Sequence, residues 1–117
     1  MRGESQKAEP PARPDARRRL AGAELAGPLR GLSAAWRIIA EHHLERSFDF
    51  PAYRAALDFT LRVGELAEEV DHHPEIVLSY GNVRVQLWTH KVDGLTARDF
   101  DLAARIDRLP QSTERPA

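Results

Sequence analysis

Glu68-Glu69-Val70-Asp71-His72-His73-Pro74-Glu75-Ile76-Val77-Leu78-Ser79-Tyr80-Gly81-Asn82-Val83-Arg84-Val85-Gln86-Leu87-Trp88-Thr89-His90 carries the chain out of a helix, past a proline, and into two strands. Pro74 disfavours helical backbone at the residue before it, so the helix is expected to end there. Ile76-Val77-Leu78 reads as a short strand and Tyr80-Gly81-Asn82 as a turn. Val83, Val85, Leu87 and Thr89 then alternate with Asn82, Arg84, Gln86, Trp88 and His90. Period-two alternation places the first set on an apolar face and the second on a mostly polar one. Strands joined by so short a link pair antiparallel.

Upstream, Phe50 to Val70 reads as a long helix with Asp49 as its cap and Pro51 in its first turn. Phe59, Val63, Leu66 and Val70 recur at helical spacing. Tyr53, Leu57, Thr60, Gly64 and Ala67 form a second stripe, giving a face wide enough for a sheet and a partner. Gly64 costs about 1 kcal/mol relative to Ala in a helix, which points to a close backbone approach. Further upstream, Ala34–Ile39 and His43–Phe48 read as two short antiparallel strands, although Leu44, Arg46 and Phe48 do not alternate cleanly with Glu45, Ser47 and Asp49. Leu20–Leu32 reads as a short first helix that breaks near Gly27-Pro28 or Gly31. Downstream, Thr96-Ala97-Arg98-Asp99 has the capping-box pattern with Asp in place of Glu. Leu95, Leu102, Ile106 and Leu109 line the core side of a last helix closed by Pro110. The order is helix, two strands, long helix, two strands, helix. It predicts an α+β two-layer fold: a four-stranded antiparallel sheet with helices packed on one face.

The 117 residues make one domain at most. Residues 1–19 carry six basic and three acidic side chains with Pro10, Pro11 and Pro14, and are expected to be a disordered basic tail. Residues 20–110 form the single domain, and 111–117 a frayed tail. Arg17-Arg18-Arg19 is read as a solvated run rather than a nucleic-acid contact, since the net charge is only −1. The chain has no cysteine, which excludes disulfides, thiolate metal sites and a cysteine nucleophile. No apolar run approaches the roughly 20 residues of a membrane span. Residues 1–19 contain no apolar leader core, so a cytoplasmic location is expected.

Three of the five histidines, His72, His73 and His90, fall close together in this stretch, with Glu68 before them and Asp99 after. Histidine titrates near neutrality and can give or take a proton. Each member has an ordinary alternative. One histidine at a helix C-terminus is favourable by roughly 0.3–1 kcal/mol. Asp99 suits the third position of a capped helix, and Glu68 an exposed helix face. Those alternatives explain the residues singly but not as a set. His42-His43 lacks a proline stop and an acid at matching spacing and is read as structural. A zinc site from His72, His73 and His90 is disfavoured, because adjacent histidines seldom point the same way and no HExxH pair is present.

The spacing Glu68-x3-His72-His73-Pro74-x5-Tyr80-x9-His90-x8-Asp99 resembles the signature of the pterin-4a-carbinolamine dehydratases over residues 32–109. Trp36, Phe48-x-Phe50, Leu87-x-Thr89-His90 and Gly94-Leu95-Thr96-x-x-Asp99 match as well. Gly81, Ile76 and Trp88 depart from the residues common in that family. The resemblance implies removal of water from a 4a-hydroxytetrahydropterin to give quinonoid dihydropterin, in recycling the cofactor of an aromatic amino acid hydroxylase. It implies His72 and His90 as the acid–base pair, His73 holding the pterin and sharing in proton transfer, and Asp99 orienting a histidine. Glu68, Pro74 and Tyr80 would support substrate binding. It implies no cofactor or metal of the protein's own, and homodimers joined by sheet edges or tetramers of them. A non-enzymatic assembly or coactivator role on the same scaffold is the competing expectation.

Overall fold

The computed structural model describes residues 15–111. Four strands, β1 (Arg37–Ile39), β2 (His43–Asp49), β3 (Glu75–Ser79) and β4 (Asn82–Leu87), form one open antiparallel sheet in the order β1-β2-β4-β3. The helices are α1 (Ala26–Arg30), which follows a 3-10 turn at Gly22–Leu25, α2 (Tyr53–Val70) and α3 (Ala97–Asp107). The long helix α2 packs on β3, β4 and α3. This is the two-layer α+β architecture expected.

The register explains the core. Leu44 faces Leu87, Arg46 faces Val85 and Phe48 faces Val83, so their side chains share the helix-covered face. Phe59 of α2 meets Phe48 and Phe50 at ring-centroid distances of 4.6 and 5.2 Å. Burying side chains such as Phe59, Leu44 and Leu87 stabilises the fold by roughly 1.5–3 kcal/mol each. Arg46 broke the alternation because it lies on the inner face. Its guanidinium sits 4.2 Å over the Phe48 ring and donates to Asp107 Oδ1 at 2.7 Å. Trp36 Nε1 donates to the same oxygen at 2.7 Å, so the end of α3 is tied to β1 and β2.

Several local expectations are corrected. α2 begins at Tyr53 with Ala52 as its N-cap, because Asp49 ends β2 and accepts from Asn82 Nδ2 at 3.0 Å. Pro74 does not end α2; the helix stops at Val70, where Asp71 turns left-handed at φ 54. Pro28 does not break α1, because it falls in the first turn, where its missing N–H has no helical partner to lose. α1 stops at Gly31. An added Cβ at Gly64 would meet nothing within 4 Å, so the expected close approach is absent among the described residues. α3 ends at Asp107, ahead of Pro110. Of the expected tails, residues 1–14 and 112–117 lie outside the described residues. Arg18 pairs with Glu24 at 2.8 Å, and the Leu20 amide donates to Leu95 O at 2.7 Å.

The β1–β2 connection is a turn whose central residues, Ala40 and Glu41, both have φ 54. The His42 amide closes it on Ile39 O at 2.8 Å. Non-glycine residues in this region cost about 1–2 kcal/mol each. Ala40→Gly is therefore expected to raise stability by about 0.5–1 kcal/mol in chemical denaturation, after allowing for the greater chain entropy of glycine.

Candidate functional site

The end of α2 sets the site. The Asp71 amide donates to Glu68 O at 3.3 Å and the His72 amide to Ala67 O at 3.1 Å. This is a Schellman closure, with Asp in the left-handed position usually taken by Gly. Arg98 Nη2, from α3, donates to Val70 O at 3.3 Å and Asp71 O at 2.8 Å, satisfying carbonyls that the helix end would otherwise orphan. The reversal brings His73 back onto the last turn, where Nε2 bonds Glu68 Oε2 at 2.5 Å. Glu68 thus holds His73.

His72 is buried, and Nε2 lies 2.6 Å from Asp99 Oδ1. A carboxylate only accepts, so Nε2 carries the proton and a neutral His72 keeps its lone pair at Nδ1. Asp99 is wholly buried. Its second oxygen accepts from Thr89 Oγ1 at 2.8 Å and from the Thr96 amide at 2.9 Å. The Thr96 hydroxyl lies 2.8 Å from that of Thr89, and with Thr89 already donating to Asp99, Thr96 donates to Thr89. Asp99 is therefore both the cap residue of α3 and the orienting partner of His72. The two readings of this residue are one structure.

His90 is not on the strand expected for it. β4 ends at Leu87, and His90 opens a 3-10 turn, His90–Val92. Thr89 and Gly94 exchange backbone hydrogen bonds of 2.8 and 3.4 Å, closing the loop and taking it out of the sheet. The exposed His90 ring stacks on Trp88 with centroids 4.7 Å apart and planes 6° from parallel.

A pocket of about 400 Å³ gathers these groups. It is lined by His72, His73, Trp88, Thr89 and His90, with Arg17, Lys91 and Arg98 as cationic members and Asp71 as the acidic one. Its size falls in the range of small-molecule sites. Tyr80 is not there. It is 70% exposed at the β3–β4 turn, about 20 Å along β4 from Thr89 at the usual rise per strand residue. Pro74, half-buried, leads from His73 into β3. The reading from sequence did not assign Thr89, Thr96, Trp88 or Arg98. The available signal was Thr89, a polar residue on the apolar face of the alternation. Among the described residues, no three His, Asp or Glu side chains are placed to hold a metal ion, and no helix is long and apolar enough to cross a membrane.

His42 and His43, on the β1–β2 turn and the start of β2, touch the site from outside. Their Nδ1 atoms are 3.0 Å apart, and His42 Nε2 donates to Asp93 Oδ1 at 2.8 Å. Burial, then the neighbouring His42, holds the His43 pKa below its ordinary 6.5 against the opposing pull of Glu45. A depressed histidine pKa means the unfolded chain binds the extra proton first. This contribution to stability is fully present above about pH 6.5 and is lost as pH falls through the lower folded value. His43→Asn is expected to flatten the dependence of thermal stability on pH across that window relative to the wild-type chain.

Fold and pocket together define a small two-layer α+β protein with a three-histidine pocket braced by a buried carboxylate. Residues 18–109 match the family model described as pterin 4 alpha carbinolamine dehydratase. The chain belongs to that family. It is 52% identical over 90 residues to a Rubrobacter xylanophilus protein that carries the provisional name pterin-4-alpha-carbinolamine dehydratase, covering 77% of this chain and 83% of that one. It is 47% identical to an Alkaliphilus metalliredigens protein of the same provisional name, covering 66% and 69%. Among solved structures it is similar to a Brucella melitensis transcriptional coactivator/pterin dehydratase, at 33% identity and TM-score 0.70, covering 76% of this chain and 95% of that one. It is also similar to a pterin dehydratase-like protein identified as a RuBisCO assembly factor in the alpha-carboxysome, at 25% identity and TM-score 0.54, covering 62% and 86%.

Proposed function

We propose that this chain is a 4a-hydroxytetrahydropterin dehydratase working by histidine acid–base catalysis. The observation that carries the reading is the bond from His72 Nε2 to the buried Asp99 carboxylate at the wall of a pocket that also holds His73 and His90. In the elimination, the C4a–O bond breaks and a C=N bond forms to the ring nitrogen. The hydroxyl leaves as water on receiving a proton, and the ring N–H proton passes to a base. His72, fixed in its Nε2–H form, offers the Nδ1 lone pair as that base. His90 delivers the proton to the leaving hydroxyl, and His73, held by Glu68, grips the pterin and shares in the proton transfer. No redox step is involved, so the residues present suffice for the chemistry.

The recycling of a tetrahydropterin for an aromatic amino acid hydroxylase, a cytoplasmic location, and a homodimer or homotetramer complete the proposal. The test of its place in recycling is coupling. Added to an aromatic amino acid hydroxylase turning over its pterin, the chain should abolish accumulation of the 4a-carbinolamine. Equal accumulation with and without it would overturn the reading. A second reading, an assembly or coactivator role, is favoured by the two structural relatives described in those terms. In that case the His72–Asp99 bond would serve only the fold, and variants of His90 would leave partner binding intact.

A further inference from the structure

The β1–β2 turn carries His42 and His43 to Trp88, with ring centroids 5.2 and 5.8 Å from the indole. Trp88 is in turn the surface on which His90 stacks. A second connection runs through the backbone. His42 Nε2 donates to Asp93 Oδ1, and Asp93 is the left-handed residue that closes the 3-10 turn begun by His90. The Asp93 amide donates to His90 O at 3.2 Å. His42 therefore reaches His90 twice, through Trp88 to the ring and through Asp93 to the main chain.

With both rings neutral, the hydrogens in this cluster have one consistent arrangement. The Asp93 carboxylate accepts, so His42 carries its proton on Nε2 and presents Nδ1 as an acceptor. His43 fills it by donating from its own Nδ1 at 3.0 Å. That leaves His43 neutral with a bare Nε2, and Glu45 Oε1 stands 3.9 Å from it, beyond hydrogen-bond reach. The depressed His43 pKa agrees with a neutral ring.

We propose that His42 and Trp88 are positioning residues for His90, holding an exposed imidazole at one orientation on the pocket wall. His90 is exposed, and a free imidazole there would sample several rotamers. A parallel stack on a held indole, with the turn strapped by Asp93, removes that freedom before substrate arrives. The cost of ordering is then met in folding rather than in binding. The kinetic part of this inference rests on the dehydratase reading; the structural part does not.

The test has two arms on the full chain. In the first, with no substrate, the ring protons of His90 are followed by NMR in histidine-labelled protein. Stacking on Trp88 shifts them upfield. His42→Ala should move them toward free-imidazole positions while amide dispersion elsewhere is kept. His42→Gln, whose amide N–H can replace Nε2–H toward Asp93, should restore much of the shift. In the second arm, His42→Ala should lower kcat about 10- to 100-fold with KM little changed, and His42→Gln should recover part of it. Unchanged His90 resonances in His42→Ala overturn the proposal. Absence of dehydratase activity in the wild-type chain counts against the function alone, and the resonances then decide the positioning.

Discussion

Asp99→Ala is expected to lower stability by about 3–5 kcal/mol and to reduce dehydration by at least about 100-fold. Three donors lose their acceptor together: His72 Nε2, Thr89 Oγ1 and the Thr96 amide. All lie in buried surroundings, so each carries a desolvation cost that water cannot relieve. Small domains hold only about 5–15 kcal/mol in total, and the loss should be plain in a thermal melt. Asp99→Asn separates the two roles of the residue. Its carbonyl oxygen can keep accepting from Thr89 and Thr96, preserving the cap of α3. Its amide then presents N–H to the Nε2–H of His72, donor against donor. The ring must flip or take the other tautomer. Asp99→Asn should therefore recover much of the melting temperature and little of the activity. Equal recovery of both would remove the orienting role and leave only the cap.

The second large effect is confined to activity. His90→Ala and His73→Ala are expected to lower turnover by about 10²–10⁴-fold, the range for a lost general acid or base. Both residues are exposed, so stability should change by no more than about 0.5 kcal/mol. His90 touches Trp88 and His73 touches Glu68, and neither supports the core. Near-normal turnover in both variants, measured on folded protein, would sink the acid–base assignment.

The elements that sequence made legible share a cause. α2 shows a long apolar periodicity, β4 a clean alternation and α3 a complete capping box, and in each case local preference and tertiary packing agree. His72 and Asp99 were legible as site members only through their place in a family spacing, which did not say which histidine Asp99 orients. The illegible parts are those where tertiary contacts override local chemistry. Ala40 and Glu41 take left-handed backbone with neither Gly nor Asn to announce it. Arg46 turns inward because Asp107, far along the chain, meets its charge. His90 leaves the strand because Thr89 and Gly94 close a loop on each other, a pairing with no periodic signature. Tyr80 matched a spacing yet stands at the opposite end of β4, because spacing in sequence does not report which end of a strand a residue occupies.

The catalytic claim is tested most directly by stopped-flow measurement of 4a-hydroxytetrahydropterin dehydration with the purified chain. The account predicts a rate well above the spontaneous one, rising in proportion to protein concentration and absent in His90→Ala. A rate equal to that in buffer alone would contradict it.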